Sequence, residues 1–486
     1  MAAESLKFNM FEIFANRKRK IDDEDSSGET TGRESVSLMG SGNPVIEYRE
    51  SVFMPYVEIV AQIIDTGNTL PAKDGTNAGV GLLEAGLAQG TETILFSIED
   101  AQGHKIDLTN KYDLRLASVT GESQSFKREV FTLTIVSTEA FNNTLVENRC
   151  TGQYSGRISD IVRALLKDNL KSPKQAINPK SKIPDQSMDD SLNDYHAWGN
   201  DDYPFELILK LQQLAIPNIA VNKNNKTESA LGNTAGYLFW QTSEGYNFRS
   251  LDSLFKTKNN HTQMDNDKPI RKYVENSRGD DYLPPGFDAK ILWSHMGTNN
   301  DALGQFESGA WSSQILYYDT VTKKYVNKSL ASKDTGNGVS AGKHLPQLNP
   351  DYVDSDNDPL PTLVTYQDAA VGQTVIGDDN VETQVEKTDV PQYSVQHTLI
   401  QSHENYRQKM TVEMDIVIDA DLSLHAGDLI ECDFQQLSTK KTTIGSKDRK
   451  SGIYMIADLC HYGEVGNSFT GLHLVRDAYG VKSSSS

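Results

Sequence analysis

The stretch VEMDIVID, residues 412–419, decides the fold class of this chain. Its apolar residues Val412, Met414, Ile416 and Ile418 occupy every second position. Side chains of a strand point alternately to opposite faces, so this period of two predicts a β-strand with one buried face. The same alternation occurs in residues 57–64, 94–98, 131–135 and 430–434. We therefore predict a mainly β protein built from antiparallel sheets.

Turn residues separate these strands from one another, and one helix-rich section separates them into two groups. Two β-rich parts, residues 45–137 and residues 268–329 with 398–482, are predicted to be antiparallel β-barrel domains. Residues 138–267, between them, are predicted to be a mixed α/β domain. In that domain Ser159 is expected to cap a helix with an apolar stripe, and Pro204 to begin a second helix. The fold class is α+β, mainly β, with residues 171–200 as a polar loop between the two helices.

Two segments carry little apolar sequence. In residues 1–44, the basic run 17–20 is followed at once by the acidic run 22–25, which predicts a flexible N-terminal arm. Residues 330–397 contain 3 Lys and 11 Asp or Glu, a net charge of −8. We interpret them as an acidic insertion in the second barrel, with little core of its own.

Composition excludes several classes of protein. The chain has 486 residues and a net charge of −20, with no apolar run long enough for a membrane span. That charge argues against broad nucleic-acid affinity, which relies on Lys and Arg. Three scattered cysteines, Cys150, Cys432 and Cys460, exclude a disulfide framework and a CxxC zinc site. With no apolar signal segment in the first residues, we expect a reducing, cytoplasmic setting.

Few motifs suggest chemistry. The glycine-rich run 79–86 lacks the GxGxxG spacing, so a flexible connection is favoured. Residues 351–358 place Asp351, Asp354, Asp356 and Asp358 at the spacing of a calcium loop, but Pro359 and Thr365 stand where an EF-hand needs Gly and Glu. A solvated acidic loop is the preferred interpretation, and cation binding there stays open.

The remaining candidates are histidines, aromatic residues and carboxylates. His461 and His473 fit ordinary sheet positions. Tyr237, Phe239 and Trp240, with Tyr246 and Phe248, could form a ligand platform, as could Tyr317, Tyr318 and Tyr325, but cross-strand packing explains both groups. With 67 acidic residues, a hydrolase acting through paired carboxylates is an alternative that names no residues. No catalytic, cofactor-binding or metal-binding residue is predicted.

Taken in order, several runs give the chain a family resemblance. It resembles the central baseplate hub protein of contractile-tailed, myovirus-type bacteriophages and, more loosely, the hub part of type VI secretion spike proteins. The runs that carry the resemblance are residues 48–55, 154–166, 204–214, 236–239, 244–252, 309–319, 451–454 and 474–480. The resemblance spans roughly residues 45–480 apart from the acidic insertion.

The resemblance implies a structural virion protein and no enzyme. Such hubs are homotrimers whose two tail-tube-like barrels per chain form a pseudo-sixfold ring. The ring connects the sixfold tail tube to the threefold central spike and leaves a channel for DNA ejection. The implied partners are the spike, the tail tube, the baseplate wedge proteins and passing DNA that is not specifically bound, with no cofactor and no membrane anchor. The implied location is the tail baseplate, assembled in the bacterial host cytoplasm, and the spike is expected to be a separate protein because no β-helical repeat is present.

Overall fold

A computed structural model of the chain describes residues 6–18, 33–40, 44–67, 81–83, 87–109, 112–125, 128–172, 188–192, 194–218, 234–258, 262–263, 268–275, 283–297, 301–319, 323–331, 341, 348–356, 358–368, 395–434, 449–464 and 466–479. These residues are mainly β, as the alternation predicts. No helix within these ranges has the length and apolar character that crossing a membrane requires.

The strands of the described residues fall in chain order. They are β1 (Lys7–Lys18), β2 (Arg33–Ser37), β3 (Val45–Ser51), β4 (Glu58–Asp65), β5 (Thr93–Glu99), β6 (Lys105–Asp107), β7 (Leu114–Ser125), β8 (Arg128–Ser137), β9 (Gln153–Arg157), β10 (Asp194–Trp198), β11 (Tyr237–Thr242), β12 (Gly245–Ser250), β13 (Thr257–Lys258), β14 (Thr262–Gln263), β15 (Arg271–Glu275), β16 (Ala289–Met296), β17 (Ser312–Asp319), β18 (Lys324–Ala331), β19 (Leu363–Asp368), β20 (Val412–Asp419), β21 (Leu429–Asp433), β22 (Gly452–Glu464) and β23 (Asn467–Arg476).

Helices are fewer. They are α1 (Thr138–Thr144), α2 (Ile158–Ala164), α3 (Pro204–Gln212), α4 (Leu251–Phe255), α5 (Ala302–Glu307) and α6 (Val395–Lys409). Single 3₁₀ turns occur at Leu38–Gly40, Val146–Asn148 and Pro350–Tyr352, and a π-helical turn at Leu165–Asn169 extends α2.

Six strands of the largest sheet close into a barrel. Around the ring the order is β15, β16, β20, β23, β22 and β21, which returns to β15. In β20 the residues Val412, Met414, Ile416 and Ile418 are buried, as their alternation predicts. The prediction of a wholly antiparallel barrel is wrong, because β15 pairs in parallel with both neighbours. The connection 276–288 is long enough for the crossover that a parallel pair needs.

The N-terminal strands extend the same sheet. β3 pairs antiparallel with the barrel strand β22, and the path continues through β4, β8, β7, β5 and β1 to β2. Backbone hydrogen bonds thus join the first β-rich part to the barrel. The pairings among the described residues close one ring, so the presence of two barrels stays a prediction.

The prediction of a flexible arm is wrong for part of residues 1–44. β1 pairs with β2 and with β5, and Phe11, Ile13 and Val36 are buried in the core. The opposed charge runs dominated the sequence pattern, but the apolar residues just before them are sufficient to add a strand to the sheet. Most of the charged segment, residues 19–32, lies outside the described residues.

The middle section contains the predicted helices with two corrections. The stripe Ile161, Val162, Leu165, Leu166 and Leu170 is buried, as predicted. Ser159 does not cap α2, whose N-cap is Arg157. The Ser159 backbone N–H instead donates to the Ser191 hydroxyl oxygen, and the Ser191 N–H donates to the Ser159 hydroxyl oxygen. The stretch predicted as a loop contains β10, which pairs antiparallel with β9 and whose side chains alternate in exposure.

Beyond residue 311, the strands that were predicted to belong to the second barrel lie in a separate three-stranded sheet. β17 pairs antiparallel with β18 and in parallel with β19, which comes from the predicted acidic insertion. The assignment of residues 312–329 to the barrel is therefore wrong. Alternation identifies the buried face of a strand but not the sheet that the strand joins. The segment before β20 forms the 15-residue helix α6.

Candidate functional site

The loop Ala420–Asp428 links β20 to β21, is called the junction loop below, and contains three buried ionisable residues. Asp421, His425 and Asp428 are each less than a tenth exposed. Segments from four other parts of the chain contact this loop: the end of β3, the β5–β6 turn, the β11–β12 hairpin and the start of β15. The loop therefore connects the N-terminal strands, the middle section and the barrel.

Glu50, at the end of β3, is the centre of the network and is 2% exposed. Its Oε1 accepts hydrogen bonds from the Tyr48 hydroxyl at 2.7 Å and the Ser243 backbone N–H at 2.8 Å, and lies 3.2 Å from His425 Nδ1. Its Oε2 accepts from the Ala426 N–H at 3.0 Å. One carboxylate therefore connects β3, the β11–β12 hairpin and the junction loop.

Charge and burial set the state of the Glu50–His425 pair. Burial by itself would raise the pKa of Glu50, but His425 and the hydrogen bonds to the carboxylate lower it overall. Burial would lower the pKa of His425, but the Glu50 charge raises it overall. Both shifts favour a buried ion pair, whose role is to hold the three segments together.

His461, on β22, is also buried, but its pKa is shifted in the opposite direction from that of His425. It stacks on Tyr48 with ring centroids 6.0 Å apart, and its Nδ1 lies 2.8 Å from the Thr470 hydroxyl. Burial lowers the pKa of His461 to about 4, so its ring is neutral at pH 7. It fits the ordinary sheet position that the sequence predicts. His473 pairs with Asp415 at 2.7 Å on the adjoining strands.

A second cluster connects the β5–β6 turn to the junction loop. His104 Nδ1 lies 2.9 Å from Asp100 Oδ2 and 3.8 Å from Asp421 Oδ1. Asp100 Oδ2 also accepts the Leu422 N–H at 3.1 Å. Asp421 accepts hydrogen bonds from the backbone and side chain of Ser423 and from the Tyr273 hydroxyl. Burial would raise the pKa of Asp421, but the two Ser423 bonds help to lower it overall.

A cavity of about 550 Å³ opens beside this network. Its wall includes Trp240 and Glu244 of the hairpin, His104 of the β5–β6 turn, and Lys268, which donates to the Ser423 carbonyl and pairs with Asp428. Trp240 Nε1 donates to the Ala426 carbonyl at 3.0 Å, which fixes the hairpin against the junction loop. The cavity gives solvent access to one side of His104.

Six of the aromatic candidates pack against one another across strands, as predicted. Tyr237 stacks on Phe248 at 4.7 Å and Phe239 on Tyr246 at 5.5 Å, all four within the buried hairpin. Tyr318 lies opposite Tyr325 in the β17–β18 pair, with centroids 5.2 Å apart. The side chain of Tyr317 and most of the glycine-rich run 79–86 lie outside the described residues.

The acidic loop 351–358 is closed by its own backbone. Asp354 Oδ1 accepts the N–H groups of Asp356 and Asp358, each at 2.9 Å. Within the described ranges, its carboxylates do not form a group of three within 4.8 Å, whereas Asp100, His104 and Asp421 do. The sequence pattern did not identify Asp100 as a candidate site residue. The one local signal was the spacing of Asp100 and His104, and nothing pointed to Asp421.

No protein-family model matches the chain, and no curated protein matches it. Among solved structures, it is similar to the 43 kDa tail protein of prophage MuSo2 from Shewanella oneidensis, at 8% identity over 98% of this chain and 99% of that chain, with a TM-score of 0.44. It is similar to a tail protein from Neisseria meningitidis MC58, at 8% identity over 98% and 96%, with a TM-score of 0.42.

A third similarity is to the E. coli c3393 protein, at 10% identity over 90% of this chain and 75% of that chain, with a TM-score of 0.38. That protein is described as a component of the type VI secretion system with structural similarity to the T4 bacteriophage tail proteins gp27 and gp5. The three similarities are therefore to two phage tail or tail-type proteins and one type VI secretion component.

Proposed function

We propose that this chain is the central baseplate hub of a contractile phage tail, a structural virion protein without enzymatic activity. The observation that carries the proposal is the strand pairing from β4 through β3 to β22, which joins the N-terminal strands to the closed barrel. A hub between a sixfold tube and a threefold spike needs two β units in each chain at a fixed relative position. Three copies then present six comparable faces.

The junction loop supports the same function. Glu50 is hydrogen-bonded to the hairpin and to the junction loop, and Asp100 of the β5–β6 turn accepts the Leu422 N–H. These buried bonds oppose rotation of the N-terminal strands against the barrel. A protein that transmits force between a tube and a spike needs that stiffness, because a hinge would absorb the movement.

In the proposed assembly the chain is a homotrimer with two tail-tube-like barrels per chain, a mixed α/β domain between them and an acidic insertion in the second barrel. Its partners are the central spike, the tail tube and the baseplate wedge proteins, and its location is the tail baseplate, assembled in the host cytoplasm. Three chains of −20 carry −60. An acidic channel wall disfavours retention of DNA during ejection.

Light scattering on the purified full chain tests the assembly. We expect a species of three times the 53.9 kDa chain mass and, by negative-stain microscopy, a ring with sixfold appearance in projection. A strict monomer at every concentration, also with a spike protein present, contradicts the proposal.

Zymography on peptidoglycan tests the absence of enzymatic activity. We expect no cleared band, whereas a cleared band that co-migrates with the chain supports the hydrolase alternative.

A further inference from the structure

Two distant parts of the chain bring three side chains with metal-ligand atoms close together: Asp100, His104 and Asp421. The three atoms all lie within 4.8 Å of one another. Asp100 and Asp421 are 5% and 8% exposed. With a neutral imidazole, which is the form that binds metals, these groups hold two negative charges in a small, mostly buried volume.

The spacing fits a tetrahedral ion. Zinc binds imidazole nitrogen and carboxylate oxygen at 2.0–2.2 Å, which separates neighbouring ligand atoms by about 3.4 Å. His104 Nδ1 lies 2.9 Å from Asp100 Oδ2 and 3.8 Å from Asp421 Oδ1, on either side of that value. Shifts of about half an ångström would bring both His104 contacts to that value. The third pair of ligand atoms, on Asp100 and Asp421, also lies within 4.8 Å. Calcium and magnesium favour all-oxygen sites, so the imidazole selects against them.

The surroundings of the three side chains have the form of an outer ligand shell. Asp100 Oδ1 accepts the His104 N–H at 2.8 Å, and Tyr273 donates to Asp421 Oδ2 at 3.2 Å. The Ser423 N–H and hydroxyl donate to Asp421 Oδ1, and the hydroxyl oxygen accepts from Arg271. Such bonds orient ligating carboxylates in metal sites. His104 also lines the 550 Å³ cavity, which provides an entry path and room for a water ligand.

We propose that Asp100, His104 and Asp421 bind one divalent ion of the zinc class, with water from the cavity as the fourth ligand. The ion connects the β5–β6 turn of the N-terminal strands to the junction loop of the barrel. It acts as a structural clamp, and it adds to the stiffness that Glu50 provides.

Titration of zinc into the untagged full chain tests the site directly. The chain is first treated with a chelator, returned to metal-free buffer and then titrated with ZnCl₂ in a calorimeter. We expect one equivalent to bind and the melting temperature to rise, because an ion that binds only the folded state stabilises it. Cobalt in place of zinc is expected to give the visible absorption of a tetrahedral site. CaCl₂ is expected to produce neither effect.

His104→Gln and Asp421→Asn each remove one ligand and keep the side-chain size. Each is expected to weaken zinc binding by at least the 10–100-fold that the loss of even an outer-shell partner costs. His104 is partly exposed, so the His104→Gln chain is expected to fold, which urea unfolding without metal verifies. His473→Gln is the matched control, because His473 also pairs with one aspartate, Asp415. It is expected to bind zinc as the unchanged chain does.

Three results overturn the proposal. They are the absence of stoichiometric zinc binding, unchanged binding in folded His104→Gln and Asp421→Asn chains, or an equal loss in the His473→Gln control. None of these results bears on the oligomeric state, so the site and the proposed hub function fail independently.

Discussion

The junction loop and the acidic loop 351–358 both hold carboxylates, but the two regions satisfy the hydrogen-bonding capacity of those carboxylates in different ways. In the acidic loop the donors are backbone N–H groups two and four residues further along, as at Asp354. In the junction, Glu50 accepts from Ala426, 376 residues away, and Asp100 from Leu422, 322 residues away. The first region is exposed and the second is buried.

The two regions differ in whether their hydrogen bonds join neighbouring residues or distant parts of the chain. A local turn forms by itself and stabilises little beyond the turn. A buried carboxylate with distant partners forms its bonds only when the whole molecule is folded, and loss of one partner leaves the others unsatisfied in a low dielectric. We therefore expect large effects of mutation in the junction and small ones in the acidic loop.

Glu50→Gln is expected to have the largest effect. It removes the negative partner of His425 and places an amide nitrogen among groups that donate to Glu50, the Ser243 and Ala426 N–H groups. Breaking a buried ion pair in this way costs about 3–5 kcal/mol of unfolding free energy. Urea unfolding at pH 7 measures it. Glu47→Gln, at the half-exposed pair with Arg49 on the same strand, is the control and is expected to cost under about 1 kcal/mol. Equal costs for the two variants would contradict the larger stabilisation that we assign to the buried Glu50.

Gly427→Ala is expected to rank second. Gly427 has φ +91°, and a Cβ there would lie 2.6 Å from Cζ2 of the buried Trp240. Left-handed backbone strain and overpacking together cost about 3 kcal/mol. Gly466 has φ +82° with nothing within 4 Å of its Cβ position, so Gly466→Ala is expected to show the strain alone, about 1–2 kcal/mol. The difference between the two unfolding free energies isolates the contact with Trp240, and a difference of zero contradicts it.

The pH dependence of the unfolding free energy is expected to reveal that His461 is neutral in the folded chain. The folded pKa of His461 is about 4, below the ordinary 6.5, so the unfolded chain binds its proton first as the pH falls. The stabilisation is full above pH 6.5 and is lost toward pH 4, with about 2 kcal/mol lost between pH 7 and pH 5. The raised pKa of His425 has the opposite sign and acts above pH 6.5, so it does not mask the loss.

His461→Gln is expected to flatten this slope, measured as urea unfolding free energies at pH 7 and pH 5. His473→Gln removes a partly exposed histidine from the adjacent strand and is the control. If His461→Gln leaves the slope unchanged, the pH dependence arises from other groups.

The same contrast explains what the sequence could predict. The alternation in residues 412–419 identifies β20 and its buried face, and the stripe from Ile161 to Leu170 identifies the helix, because both patterns are local. Pairing partners are not local, so the parallel neighbours of β15 and the separate sheet of β17 were not predictable. The site was missed for the same reason. Glu50 and Asp421 look like ordinary surface acids in the sequence, and only the fold brings them to His425 and His104.

Asp354→Asn is expected to have the smallest effect. Asparagine keeps the side-chain oxygen that accepts the Asp356 and Asp358 N–H groups, and it forms the same turn. The change in unfolding free energy is expected to stay within about 0.5 kcal/mol, as for exposed substitutions generally. CaCl₂ is expected to leave the melting temperature of both chains unchanged, because the described carboxylates of this loop do not bring three ligand atoms within 4.8 Å of one another. A calcium-dependent rise that Asp354→Asn abolishes would show that this loop, too, gathers a ligand, and the two regions would then differ in burial alone.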